Sequence, residues 1–373
     1  MDETPRMTTM APSEQAARAH PLYDLPLRAW RPVPRLRTTV TRVPRPAFPV
    51  IDAHNHLGRW LTPDGGWMVP DPAALVELMD AAGVRAVINL DGRWGAELEE
   101  NLERYDRAYP GRFATFCHID WDELARPGFG ERIAARLAEC AAMGAKGLKV
   151  WKDLGLERRD HRGELVLLDD ERLSPVWPAA AEAGLPVWVH TADPVAFFEP
   201  VDERNELLEL LLHYPQWSFA DPRYPRFERL IESLEAVVAA HPETTFVGVH
   251  VGCYSEDLDW VGRMLDEYPN FHIDIAARLA ELGRRPRATR ELIIRHSDRV
   301  LFGTDHFPPA PESYALHYRF LETADEHFPH DPSGSQLGGR WMISAVDLPP
   351  DVLRRVYAEN AARLVPALAP AIS

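Results

Sequence analysis

From residue 48 onward the chain has a rhythm that few folds can accommodate. Short runs rich in β-branched residues (PVIDAH, VRAVINL, RFATFCHI, KGLKVW, PVWVHT, TTFVGVHV, NFHIDI and RVLFGTD) alternate with amphipathic helical stretches such as DPAALVELMDAA, GERIAARLAECAAM, LEAVVAAH and PDVLRRVYAENAARL. Strands that are apolar on both faces and separated by helices predict a parallel sheet covered by helices. Eight such units predict closure into an α/β (β/α)8 TIM barrel. The connections from helix into strand are short and punctuated by Gly or Pro, as in DAAGVRAV and AEAGLPVW. Two connections leaving strands are long: about 192–226 after the fifth run and 306–348 after the eighth. A barrel builds its catalytic face from strand-to-helix loops, so this asymmetry is expected of an enzyme. Both long loops contain helix-like pieces, DERNELLELLLHYP and HYRFLETADEHF, expected to cover the rim and complete a substrate pocket.

Residues 1–47 differ in character and form a tail and extended arm, rich in Pro and Arg, ahead of the barrel at 48–373. The first 20 read as a mobile tail; Leu36 to Val43 alternate as a short strand would. The arm and the rim helices suggest a homodimer. The 57 acidic residues outnumber the 41 basic ones, giving a net charge of −16. A field of that sign repels phosphate backbones and excludes nucleic acid as an expected partner, leaving a small molecule. Three widely spaced cysteines offer no disulfide framework, and no stretch reaches the roughly 18 apolar residues a membrane span needs. A cytoplasmic protein with no membrane partner is expected.

The residues that carry chemistry fall at the ends of the strand runs. His54 and His56 end the first, His190 the fifth, and Asp305 the eighth, while His250 falls near the end of the sixth. Alternation places His54 and His56 on one face of their strand. Strand ends at the C-terminal rim converge on one small volume, where four imidazoles and a carboxylate would go unsatisfied without a cation. Neutral imidazole and carboxylate are ligands for Zn2+ and its first-row relatives. Lys149, on the fourth run, is a lysine inside a barrel and therefore costly to bury as a cation. It either meets a substrate carboxylate or snorkels to the rim. His118 at the end of the third run either lines the pocket or packs. Asp274 and Arg278 follow the seventh run; they could orient substrate, Arg278 as a carboxylate clamp or as a partner of Glu281. Trp60, Trp67, Trp121 and Trp151 lie on or just past strand ends and suggest an aromatic-lined pocket.

Taken in order, DAHNHLG, VWVHTADP, VGVHVGC, LFGTDHF and VYAENAARLV resemble the signature segments of the amidohydrolase-related family, the amidohydrolase 2 branch of the superfamily. The resemblance spans about residues 50 to 366. It implies one divalent metal held by His54, His56, His190 and Asp305, with His250 beside it handling substrate or protons. Zn2+ is the expected ion, with Mn2+ or Fe2+ as alternatives. A second metal follows only if Lys149 is carbamylated, as the equivalent lysine is in binuclear members. The implied activity is hydrolysis of a C–N or C–O bond (amide, lactone or ester) in a small carboxylate-bearing substrate. Asp305 would act as general base and acid, His250 and Lys149 would steady the oxyanion, and Arg278, His118 and Trp151 would bind substrate. The same residues would serve non-oxidative decarboxylation of an aromatic or unsaturated acid. A barrel that has lost activity and only binds is the third reading.

Overall fold

A computed structural model describes residues 18–26, 29–124, 126–331, 333, 335 and 337–372. The expected mobile tail lies almost entirely outside the described residues. The chain forms two compact units, 1–38 and 39–373. In the first, the described residues make local turns, with Tyr23 N donating to His20 O at 2.9 Å.

The second unit holds the barrel. Its strands are β1 (Val50–Asn55), β2 (Val84–Asn89), β3 (Phe113–Thr115), β4 (Cys117–His118), β5 (Leu148–Val150), β6 (Val187–Val189), β7 (Phe246–Gly248), β8 (Phe271–Asp274) and β9 (Val300–Leu301). They pair in parallel in the orders β1-β2-β3 and β4-β5-β6-β7-β8-β9. β3 and β4 are halves of the third strand. At their junction Phe116 N donates to Asn89 O and Cys117 N to Gly147 O, both at 2.9 Å, handing the strand from one neighbour to the other. The last strand meets the first through Ala53 N to Phe302 O and Asp305 N to His54 O, again 2.9 Å each. Eight strand positions therefore follow one another around a TIM barrel, as the runs predict.

The core forms two layers because strand side chains alternate. Ile51, Ala53, Ala86, Ile88, Phe116, Trp188, Val247 and Leu301 fill the barrel interior. Val50, Val84, Phe113, Leu148, Val187, Phe246 and Val300 face the surrounding helices. Helix ends follow local sequence chemistry. Pro72–Ala82 starts at Asp71, whose carboxylate accepts from Ala73 N at 2.9 Å and Ala74 N at 3.3 Å, and it stops at Gly83 with φ +80°. Among the described residues no helix is long and apolar enough to cross a membrane.

Both long loops lie at the mouth. The one after β6 carries a helix at Leu208–His213; the one after β9 carries a helix at Pro311–Glu322 and the antiparallel pair β10 (Phe328–Pro329) and β11 (Met342–Ile343). The second helix begins earlier and ends sooner than the helical piece read from HYRFLETADEHF. Leu36–Val43 forms no strand. Thr41 spends its bonds on a side chain instead, its N and Oγ1 donating to the Asp325 carboxylate at 2.7 and 2.8 Å.

Candidate metal centre

Simple alternation does not deliver His54 to the site. Ile51 and Ala53 face the interior, which would turn His54 outward. The pairing register of β1 on β2 shifts between Asp52 and Asn55, and past this irregularity His54 points inward to Asp274. Gly303 makes room for it: a Cβ there would stand 2.9 Å from the His54 Cβ. Asp52, which sequence reasoning passed over, locks the arrangement. Its buried carboxyl accepts from His54 N, Asn55 Nδ2, Thr304 N, Thr304 Oγ1 and Tyr314 OH, between 2.7 and 3.2 Å. One side chain thus ties the residues leading into His54 and Asp305 to the covering helix.

The ligand-competent atoms of His54, His56 and Asp305 lie within 4.8 Å of one another. Asp305 Oδ1 is 3.4 Å from His56 Nε2 and 3.6 Å from His54 Nε2, and its Oδ2 is 3.8 Å from His250 Nε2. The protonation pattern makes this grouping informative. His54 Nδ1 is 2.8 Å from Asp274 Oδ2 and His250 Nδ1 is 2.9 Å from Ala276 O. Each Nδ1–H is therefore spent on an acceptor, which turns the Nε2 of each ring toward Asp305 as the atom left to bind a metal. Burial pushes His56 down to about 4 and His250 well below its ordinary value, so both rings are neutral. Burial pushes Asp305 up, and it is held below the usual carboxylate range only by positive charge beside it, on Lys149 and at the position of the His54 and His56 rings, where neutral rings leave that charge to a bound cation. Bare nitrogen lone pairs facing a carboxylate in a buried site repel unless a cation lies between them. The donor set fits a divalent ion of the Zn2+ or Mn2+ kind.

Backbone strain collects at the same place. His250, Val251 and Cys253 after β7, Ala277 after β8 and Asp305 after β9 all have φ between +53° and +61°. Asp274 helps to hold this backbone, its Oδ1 accepting from His250 N at 2.8 Å and Ala276 N at 3.1 Å. Asp274 is thus fully engaged inside the protein and does not orient substrate.

The amidohydrolase family model matches residues 51–367. The chain belongs to this family. No curated protein matches it in sequence. Among solved structures it is similar to 2,6-dihydroxybenzoate decarboxylase from Rhizobium, at 15% identity over 86% of this chain and 99% of that one, TM-score 0.56. It is likewise similar to a dihydroxybenzoic acid decarboxylase from Polaromonas with bound manganese and the inhibitor 2-nitroresorcinol (16%, 86% and 97%, 0.54). An uncharacterized TIM-barrel protein from Bordetella bronchiseptica is a third (16%, 86% and 99%, 0.53). At these identities the likeness concerns the fold.

Other residues expected at an amidohydrolase centre divide into those the fold gathers and those it does not. A cavity of about 840 Å3 opens at the mouth, walled by His56, Trp151, His190, Asp193, His250, Arg278, Asp305 and both long loops. His190 reaches the cavity, but its nitrogens stand apart from the trio. Its Nε2 faces Asp193 Oδ1 at 3.4 Å and its ring packs against His250, 4.6 Å between centroids. Asp193 beside it is held as a carboxylate by Lys152. Burial pushes His190 down to about 3. His250 differs from its expected role in one respect: with Nδ1–H given to Ala276 O, its Nε2 accepts and cannot donate to an oxyanion.

Lys149 is buried at the barrel floor with Nζ unpartnered, 5.2 Å from the Trp151 ring centroid, so it does not snorkel. Burial pushes it down to about 8. Arg278 is buried in the cavity wall, gives one N–H to Ala277 O at 2.8 Å and, among the described residues, forms no ion pair with Glu281 or any other acid. His118 is not in the wall. It sits behind Trp151 with Nε2 2.7 Å from Leu90 O, a packed histidine. Of the tryptophans, Trp151 lines the cavity and Trp60 packs on it at 4.4 Å. Trp67 is held between Arg59 and Arg104, and Trp121 stacks on Phe129, both away from the cavity. A further imidazole, His317 on the helix after β9, stands in the wall and was not foreseen. Its sequence context, YALHYRF, looks like an ordinary amphipathic helix.

Proposed function

We propose that this barrel is a metal-dependent hydrolase that opens an amide, lactone or ester bond of a small organic acid. The observation that carries the reading is the set of donor atoms (His54 Nε2, His56 Nε2 and the Asp305 carboxylate), with His250 Nε2 beside them, gathered at the floor of a substrate-sized cavity. A divalent ion bound there supplies an acidified water and a polarised carbonyl. Asp305, already a carboxylate, takes the proton of the attacking water and returns it to the leaving group. His250 Nε2, an acceptor, orients that water. Arg278, buried and without an acid partner, takes the substrate carboxylate through two parallel N–H bonds. Trp151, Phe197 and Trp217 cover the apolar body of the substrate. Lys149 offers an ammonium from below.

Asp305→Asn is expected to lower kcat by about three orders of magnitude or more while leaving the circular dichroism spectrum and thermal unfolding near wild type. Turnover within tenfold of wild type would overturn this role. Metal analysis of the purified protein is expected to find about one equivalent, with Zn2+ first and Mn2+ as alternative.

A second reading, non-oxidative decarboxylation, is favoured by Arg278 standing uncompensated among aromatic walls, a setting suited to an aromatic acid, and it accords with the activities named for two of the similar structures. Asp305 would then take a proton from water and pass it to the carbon that loses CO2. A panel of lactones, amides and hydroxybenzoates separates the two: CO2 release from the hydroxybenzoates alone replaces hydrolysis with decarboxylation.

A further inference from the structure

We propose that His317 selects the substrate by accepting a hydrogen bond from a neutral hydroxyl carried away from the metal-binding end. The inference rests on reading the cavity as a carboxylic-acid site and names the second group such an acid should bear.

His317 belongs to the helix Pro311–Glu322, which the loop after β9 lays over the mouth, and it walls the same cavity as Asp305 and Arg278. Its Nδ1 is 2.8 Å from Ser313 O, one helical turn back. A carbonyl can only accept, so Nδ1 carries the ring proton and Nε2 presents a lone pair. Among the described residues that Nε2 has no hydrogen-bond partner, although His317 is only 5% exposed. The ring cannot turn freely to find one, because the Ser313 bond and the Phe302 ring 5.6 Å away hold it. Burial pushes the imidazole down to about 4, so at neutral pH it remains an acceptor and not a cation.

A buried acceptor fixed in this way discriminates by chemistry. It repels carboxylate and phosphate, gains nothing from a methyl ether, and rewards an O–H donor. Arg278 does the opposite, offering donors to an anion. Together they orient a hydroxylated carboxylic acid, its acid group at Arg278 and the metal donors and its hydroxyl at His317.

The test is calorimetric titration of the Zn2+- or Mn2+-loaded protein with the 2-, 3- and 4-hydroxybenzoates and their methoxy counterparts. At least one hydroxybenzoate should bind about tenfold or more tighter than its methyl ether. His317→Phe should bring that pair within about twofold, chiefly by weakening the hydroxylated member. His317→Asn, which keeps a donor for the Ser313 carbonyl and removes the Nε2 acceptor, should do the same and covers the case in which Phe does not fold. Absence of any hydroxyl preference in the wild type, an unchanged preference in the variants, or no binding of any of these acids would overturn the proposal. Turnover is scored separately: a His317-dependent preference without hydrolysis or CO2 release would sink the functional reading and leave this one standing.

Discussion

On the side of the mouth formed by β1, β7, β8 and β9, a dense set of hydrogen bonds holds the residues that lead into the metal position. Asp52 accepts five hydrogen bonds, Asp274 takes the His54 ring and two backbone N–H groups, and Ala276 O takes the His250 ring. On the side formed by β2, β4 and β5 the opposite holds. Among the described residues Nδ1 of His118 and Nζ of Lys149 are buried without partners, and the buried Asp91 carboxyl has only weak backbone contacts from Gly58 and Trp60, with Trp60 and Trp151 packed nearby. Burial of polar groups has been compensated on the first side and left uncompensated on the second. The first side is therefore held by its own hydrogen bonds; the second carries a desolvation cost at Lys149 and His118.

The contrast breaks most readily at Asp274. Asp274→Asn should release the His54 ring and lower metal affinity by about 10- to 100-fold, read by competition with a chromogenic chelator. An affinity within twofold of wild type would mean that the first side is not preorganised by this carboxylate.

Asp91 probes the second side through pH. Burial, with Glu97 adding to it, pushes its carboxyl up to about 8 from an ordinary 3.8. The folded state therefore favours the protonated form. Its contribution is complete below pH 4 and is lost as pH rises through about 8. Asp91→Asn should leave Tm nearly unchanged at pH 4 and raise it at pH 8, at about 2–4 °C per kcal/mol for a chain of this size. An equal change at both pH values would show that the folded carboxyl is not raised.

The smallest expected effect is at Lys149. Replacement by Met removes an unpartnered buried amine and should raise Tm by a degree or two while lowering turnover. A fall in Tm would place a structural partner on Nζ and bring the two sides closer in character.

Much of the fold was legible because hydrophobic periodicity is local. All eight strand runs fall where the β-branched clusters lie, and helices such as Pro72–Ala82 begin and end at their capping residues. The candidate site was legible as a set of addresses, since strand ends converge at the rim. It was less legible as geometry. His54 and His56 do share the mouth, as alternation suggests, but a register shift after Asp52 is what turns His54 from the parity of Ile51 and Ala53 toward the interior. His190 carries the same strand-end signal as His54, yet it stands outside the group formed by His54, His56 and Asp305, its Nε2 3.4 Å from Asp193 Oδ1. Trp67 and Trp121 share the spacing of Trp151 but pack elsewhere, because nothing in spacing says where a large ring finds its partner.

The sequence by itself determined eight βα units, a net negative surface and the residue types for a metal at one rim, all properties of composition and short-range pattern. The tertiary structure alone decided which nitrogens carry protons, which carboxylates orient and which remain free, and that Arg278 and His317 share a cavity. Those outcomes depend on hydrogen bonds between residues as far apart as Asp52 and Thr304, or His54 and Asp274. No local pattern encodes such pairings; they exist only once the barrel has brought the strand ends together.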